Sequence, residues 1–345
     1  MFRFALLFVL AFFASFSLPA AAASFDCAKA ATPFEHAICD SPELSAADDR
    51  LAKTYQTAIG GLSEGAVAAV RGDQRAWLDF AQRACAPEAE PMTSGRYNED
   101  RTRCLINRFD SRSSALEDSR MINGMRFYVR ARFDAMPDPN AENADSYWAV
   151  AQHELSYVQL DSTEPFAGAF NAYVEGEALK LSGLFGEEGG SSEMDEDASS
   201  DTNNSIGVAE ANANRIDLNV GTYWYGHGAA HGNWSKTFLH YLVDEDRELA
   251  ARDIFTGKRW QAGLLDLTVE ALKAEHGDAL MLDDTSYIAD AVTDPARWDL
   301  SDPYALILQF QPYEVSAYAY GAPTARISLE KLAPYISEDS DFFRY

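Results

Sequence analysis

The chain has 345 residues, of which 28 are Lys or Arg and 54 are Asp or Glu, for a formal net charge of -26 at pH 7. A field of that sign repels nucleic acid and anionic membrane surfaces, which excludes both as partners, and it draws cationic proteins in. The length suits two ordinary domains with cores of their own.

Residues 1–23 open with Arg3, an apolar run over 4–18, Pro19 and alanines ending at Ala23. That pattern predicts a secretory signal peptide cut after Ala23, and its apolar run is too short to span a bilayer. Phe25 and Asp26 precede Cys27 where a lipoprotein needs a small residue, so no membrane anchor is expected and the location is periplasmic or secreted. The mature charge is then 27 minus 54, or -27. In an oxidising export route Cys27, Cys39, Cys85 and Cys104 predict two disulfides. Three pairings are open, and the sequential one, Cys27 with Cys39 and Cys85 with Cys104, keeps both loops short.

Residues 24–120 read as a helical domain stapled by those bridges. Thr32-Pro33-Phe34-Glu35 supplies an N-cap hydroxyl, a proline at the first helical position and a carboxylate placed to answer the cap amide. Ser41-Pro42 restarts the chain, and Leu44, Leu51, Tyr55, Ala58 and Leu62 recur at helical spacing. A third helix is expected through Val67, Val70, Gln74, Trp77 and Ala81, and a fourth from Arg101 to Leu116, with Pro87, Pro91 and Gly95 marking the loop between. Trp77 is expected in the core, and His36 is read as a packed or exposed histidine rather than a ligand.

The run Cys27-Ala28-Lys29-Ala30, Thr32-Pro33, Glu35, Ile38-Cys39, Pro42-Glu43-Leu44, Leu51 and Tyr55 resembles the N-terminal domain of LprI-type lysozyme inhibitors, and Gln74-Arg75-Ala76-Trp77-Leu78, Cys85 and Cys104-Leu105 continue the likeness. The resemblance implies a helical, disulfide-bonded envelope module, associated in some members with lysozyme inhibition.

Residues 121–345 read as an α+β domain with a mainly antiparallel sheet. Strands are predicted near 127–131 and 149–159, then a helix over 166–184. Residues 186–205 hold Glu187, Glu188, Glu193, Asp195, Glu196, Asp197 and Asp201 and almost no apolar residue, which predicts a solvated acidic insertion. Calcium is the alternative there, but the EF-hand spacing and its glycine are absent. Ile216, Leu218, Val220, Thr222 and Trp224 alternate, as do Thr237, Leu239, Tyr241 and Val243, and the connection between them, residues 225–234, carries three glycines that permit a shaped loop. A helix is predicted over 264–276, strands over 304–310, 315–320 and 326–328, and a closing helical turn over 329–336.

Phe170-Asn171, Gly228-Ala229-Ala230-His231-Gly232, Asp253-Ile254-Phe255 and the closing run from Phe310 through Gln311-Pro312-Tyr313-Glu314 to Gly321 resemble the extracellular RsiV-like domain, which in its namesake anti-sigma factor binds lysozyme. The resemblance implies a receptor surface for that enzyme. An extra alanine before His231 and an added His227 depart from the family loop.

The candidate partner-binding residues are Tyr225, His227, His231, Asn233 and Trp234. His227, His231 and His240 raise the alternative of a zinc site, but no acid neighbours them in sequence, so no metal is assigned. His231 as a general base would need a nucleophile, and Ser235 is the nearby candidate without a recognisable nucleophile turn. No cofactor is implied, and nothing in the sequence points to catalysis. The expectation is a non-enzymatic binding protein recognising or inhibiting c-type lysozyme or another cationic protein. The alternative is a structural or peptidoglycan-associated envelope module without lysozyme contact, its aromatics stacking on sugars.

Overall fold

The computed structural model describes residues 23–142, 148–181, 199–337 and 340; the expected signal peptide through residue 22 and positions 186–198 of the acidic segment lie outside the described residues. Four helices come first: α1 (Pro33–Asp40), α2 (Pro42–Ile59), α3 (Glu64–Ala84) and α4 (Glu99–Leu116). Their starts follow from local chemistry. Thr32 Oγ1 accepts the Glu35 amide while the Glu35 carboxylate accepts the Thr32 amide, and Ser41, Ser63 and Asn98 each accept an amide of the first turn they precede. Each cap contributes about 1 kcal/mol. Cys27 is bonded to Cys39 and Cys85 to Cys104, with Cα separations of 5.7 and 5.6 Å.

Trp77 is fully buried, edge-on to Phe109 with ring centroids 4.9 Å apart, among Leu44, Leu51, Val70, Phe80 and Leu105. This cluster also takes in Tyr128, Phe133, Ala135 and Val150 from the strands that follow. Phe80 stacks on Phe133 at 5.2 Å, and the buried Arg112 guanidinium lies 5.4 Å over the same ring. Polar ties reinforce the contact. Asp73 accepts from Arg130 Nε (2.8 Å) and from the Ala131 amide (3.0 Å), Arg108 pairs with Glu154, and Asp161 accepts from the Ser63 amide and hydroxyl (2.7 and 2.6 Å).

The main sheet runs in sequence order through β1 (Met121–Ile122), β2 (Met125–Pro137), β3 (Val150–Leu160), β4 (Ser200–Ala211), β5 (Arg215–Gly226), β6 (Asn233–Leu242) and β7 (Arg247–Glu248). All neighbours are antiparallel except β3 and β4, and α5 (Pro165–Lys180) supplies the crossover that a parallel pair requires. Phe170 and Val174 of α5 pack with Phe127, Leu155, Tyr157, Leu218 and Tyr241 in a second cluster.

The tail of the acidic segment departs from the sequence reading, because Ser200 to Ser205 are strand β4 and not a solvated loop. Polar residues stay in a central strand when their side chains find partners. Thr202 Oγ1 lies 3.0 Å from His153 Nδ1, and Asn204 donates to the Leu181 carbonyl (2.7 Å) and accepts the Tyr223 amide (3.3 Å).

A third cluster gathers α6 (Ala251–Ile254), α7 (Trp260–His276) and α8 (Ala289–Thr293) against a three-stranded antiparallel sheet of β8 (Trp298–Asp299), β9 (Ala305–Gln309) and β10 (Thr324–Ser328), closed by α9 (Leu329–Leu332). His240 joins this part to the main sheet: Nε2 donates to the Trp298 carbonyl (2.9 Å), and Nδ1 lies 2.6 Å from Asp217 Oδ1 across the β5–β6 pair. The strand expected over 315–320 is instead a turn carrying one isolated bridge, Ser316 with Leu280, and a 3-10 turn over Tyr318–Tyr320. Tyr313 at φ 68° turns the backbone just before this span, the Tyr320 and Gly321 amides bond back to the Ala317 and Tyr318 carbonyls within it, and Val315 is fully buried as the segment's anchor. No helix among the described residues is long and apolar enough to cross a membrane.

Candidate functional site

The β5–β6 connection narrows to residues 227–232, because Trp224 still pairs with Asn233 at the ends of the strands. Two glycines are forced by close approach or backbone shape. Gly228 has φ 85°, and a Cβ on Gly232 would sit 2.5 Å from the Tyr223 hydroxyl. Tyr223 and Trp234 face one another across the strand pair, and both are about two-fifths exposed (41% and 38%).

His231 is exposed and stacks on Tyr318 with ring centroids 4.0 Å apart. Its Nδ1 donates to the Gly232 carbonyl (3.0 Å), and its Nε2 lies 3.2 Å from the Tyr313 hydroxyl. The Tyr318 hydroxyl donates to the same Gly232 carbonyl (2.6 Å). Gln311 fastens this turn to the sheet, its side-chain oxygen accepting the Lys236 amide (2.9 Å) and its nitrogen donating to the Lys236 carbonyl (2.8 Å). Glu314 in turn accepts the Gln311 amide (2.6 Å) and two bonds from Arg297 (2.9 and 3.0 Å). The result is a contiguous aromatic surface of Tyr223, Trp234, His231, Tyr318 and Tyr313, the last 62% exposed, assembled from two segments about 80 residues apart.

His227 is placed differently from the other candidates. Its side chain is 3% exposed, held between Asp138 on Nδ1 and Asp201 on Nε2 (3.2 Å), with the Trp148 indole stacked on it at 5.3 Å. Asp138 also accepts from Ser199 Oγ (2.8 Å) and the Asn140 amide (2.6 Å). Burial alone would push the His227 pKa down; the bonds to Asp201 and Asp138 outweigh it and hold it above its ordinary value. Burial likewise works against ionised Asp138, yet the bonds from His227, Asn140 and Ser199 hold its pKa below the ordinary value. Tyr225 bonds the Ala229 carbonyl through its hydroxyl (2.9 Å) and packs on Trp148 at 5.1 Å, while Asn233 is exposed.

The structure therefore brings His231, Asn233 and Trp234 to the surface and turns His227 inward. Two acids accompany His227 after all, from positions 89 and 26 residues away. Sequence proximity carried no signal for them. The three histidines grouped by sequence hold three separate positions, with His240 buried at Asp217. Among the described residues no group of three or more His, Cys, Asp or Glu side chains is arranged to hold a metal ion. Ser235 is hydrogen-bonded to Thr222 across the strands (2.6 Å), while the ring nitrogens of His231 are engaged by Tyr313 and Gly232. Tyr313, Tyr318, Gln311 and Trp148 were missed in sequence as site residues, although the first three lie in the closing run already singled out for its resemblance.

Comparison with curated proteins found no match. Among solved structures the chain is similar to a DUF3298-family member from Bacteroides fragilis, at 16% identity and a TM-score of 0.45, over 65% of this chain and 98% of that one. It is also similar to a DUF3298-family protein from Pseudomonas aeruginosa PAO1, at 15% identity and a TM-score of 0.43, over 64% of this chain and 97% of that one. Residues 27–116, the disulfide-bonded helical region, match the family described as lysozyme inhibitor LprI.

Proposed function

We propose that this chain is an exported, non-enzymatic binding protein that recognises lysozyme and blocks its action on the cell wall. The match of residues 27–116 to the LprI lysozyme inhibitor family carries the reading. Two features support it: the net charge of -26, which steers a strongly cationic enzyme toward the molecule, and the RsiV-like run that ends in the exposed turn around Tyr313. The composite surface of Tyr223, Trp234, His231, Asn233 and Tyr313 is the contact region we assign. It combines exposed aromatic rings with amide and imidazole groups, the chemistry that anchors interfaces and hydrogen-bonds carboxylates in a sugar-binding cleft. Tyr225 and His227 act from beneath, shaping the loop.

Calorimetry of the full chain with c-type lysozyme at low salt is expected to give a dissociation constant between about 1 nM and 1 µM, weakening as salt rises. Lysis of cell walls should slow in parallel, and His231→Ala with Trp234→Ala should weaken binding. No heat of binding together with undiminished lysis overturns the proposal.

A further inference from the structure

His227 has two hydrogen-bond neighbours on its ring, and both are carboxylates: Asp138 on Nδ1 and Asp201 on Nε2. Ionised carboxylates only accept, and a neutral imidazole donates from one nitrogen alone. Only the doubly protonated ring satisfies both sides. The enclosure keeps that arrangement away from bulk water, since the His227 and Asp138 side chains are 3% and 2% exposed and Trp148 stacks on the ring. Asp201 is partly open at 31% and also accepts the Gln152 amide (2.9 Å), which fixes its carboxylate to β3. Asp138 after β2, Asp201 on β4, and Tyr225 on β5 at 6.4 Å between rings face the ring, and Asp201 in turn lines a cavity with Trp148 and with Arg101, Arg103 and Arg108 of α4, with Glu154 of β3 close enough to feel its charge.

The clamp sits at one leg of the 227–232 loop. The other leg is pinned by His231 on Tyr318 and by the Tyr318 bond to Gly232. We propose that His227 is a positioning residue that, as an imidazolium held between Asp138 and Asp201, shapes the loop for its partner, and that its deprotonation releases this leg and weakens recognition. The inference rests on the recognition reading above for its partner, but not for the clamp itself. The raised His227 pKa sets the direction: the stabilisation is complete below about 6.5 and is lost as pH rises through the folded-state value. On the acid side the lowered Asp138 pKa means its contribution is present above about 3.8 and is lost as pH falls through the folded-state value. The clamp is thus strongest between those limits.

The test uses the full chain. In nitrogen-15 histidine spectra, with His227→Gln to assign the ring, His227 is expected to show the doubly protonated pattern at neutral pH. Amide exchange of residues 228–232, corrected for its intrinsic pH dependence, should accelerate as His227 titrates, and this acceleration should vanish in His227→Gln. Lysozyme affinity should fall about tenfold across the same titration in wild type, and in His227→Gln it should be weak at all pH values with no such step. Asp138→Asn, which keeps the hydrogen-bonding shape, should lower the titration midpoint. A singly protonated His227 at neutral pH, or the same alkaline step in His227→Gln as in wild type, overturns the inference. A doubly protonated ring with clamped loop amides but no lysozyme binding at any pH overturns the partner and the claim about recognition, and leaves the clamp standing.

Discussion

Lys236 lies on β6 paired with Gly221 of β5, and its outward amide and carbonyl meet no strand; the Gln311 side chain binds both, as a neighbouring strand would. Gln311→Ala therefore removes two hydrogen bonds that span 75 residues of sequence. At 0.5–1.5 kcal/mol net for each bond the loss is about 1–3 kcal/mol. Because Gln311 is half-buried and water can replace part of the contact, the lower half of that range applies, about 1–2 kcal/mol, a factor of roughly 5–30 in local opening. Amide exchange at Lys236 should accelerate by that factor while exchange at its cross-strand neighbours stays unchanged. Gln311→Glu keeps an acceptor for the Lys236 amide but loses the donor to its carbonyl, and should fall between wild type and Gln311→Ala. The turn bearing Tyr313 and Tyr318 would be loosened from β6, so lysozyme affinity should drop with the same ordering of variants. Unchanged Lys236 exchange in Gln311→Ala would refute the claim that this side chain couples the two segments.

Gly232→Ala places a methyl group 2.5–2.6 Å from the Tyr223 ring, and should cost about 1–3 kcal/mol by overpacking, read as a lower urea midpoint at unchanged slope. Asp73→Ala leaves Arg130 and the Ala131 amide without their acceptor at the contact between α3 and β2; denaturant unfolding should show a loss of about 3 kcal/mol, and a change under 1 kcal/mol would contradict the packing described. Asp253 is held below its ordinary value first by the Arg247 hydrogen bond and then by the Ala250 amide, against burial. Its stabilisation is present above about 3.8 and disappears as pH falls through the folded-state pKa, so Asp253→Asn should lower stability at neutral pH and flatten the acid limb of the stability curve.

Local chemistry made much of this protein legible in its sequence. Caps such as Thr32 and Ser41, the helical stripe through Leu44 and Leu51, and the alternation of 216–224 act over one or two turns of chain, and each produced the element it predicts. The two sequential disulfides are also short-range closures. Strand β4 escaped because its polar residues 200–205 gain partners only from β3, β5 and Leu181, none of which is near in sequence. The alternation of 315–320 misled for the complementary reason: Val315 is buried and Tyr318 reaches Gly232, but the Tyr320 and Gly321 amides bond back to the Ala317 and Tyr318 carbonyls and close a 3-10 turn where the pattern reads a strand. Chain order thus determined where most helices and strands begin, and it marked the glycine-shaped loop. The tertiary structure alone decided that His231 meets Tyr313 and Tyr318 at the surface while His227 turns inward between Asp138 and Asp201. Side-chain partners 82, 89 and 26 residues apart leave no periodicity in the sequence, because their encounter depends on how the sheet is ordered and not on any local preference of the residues themselves.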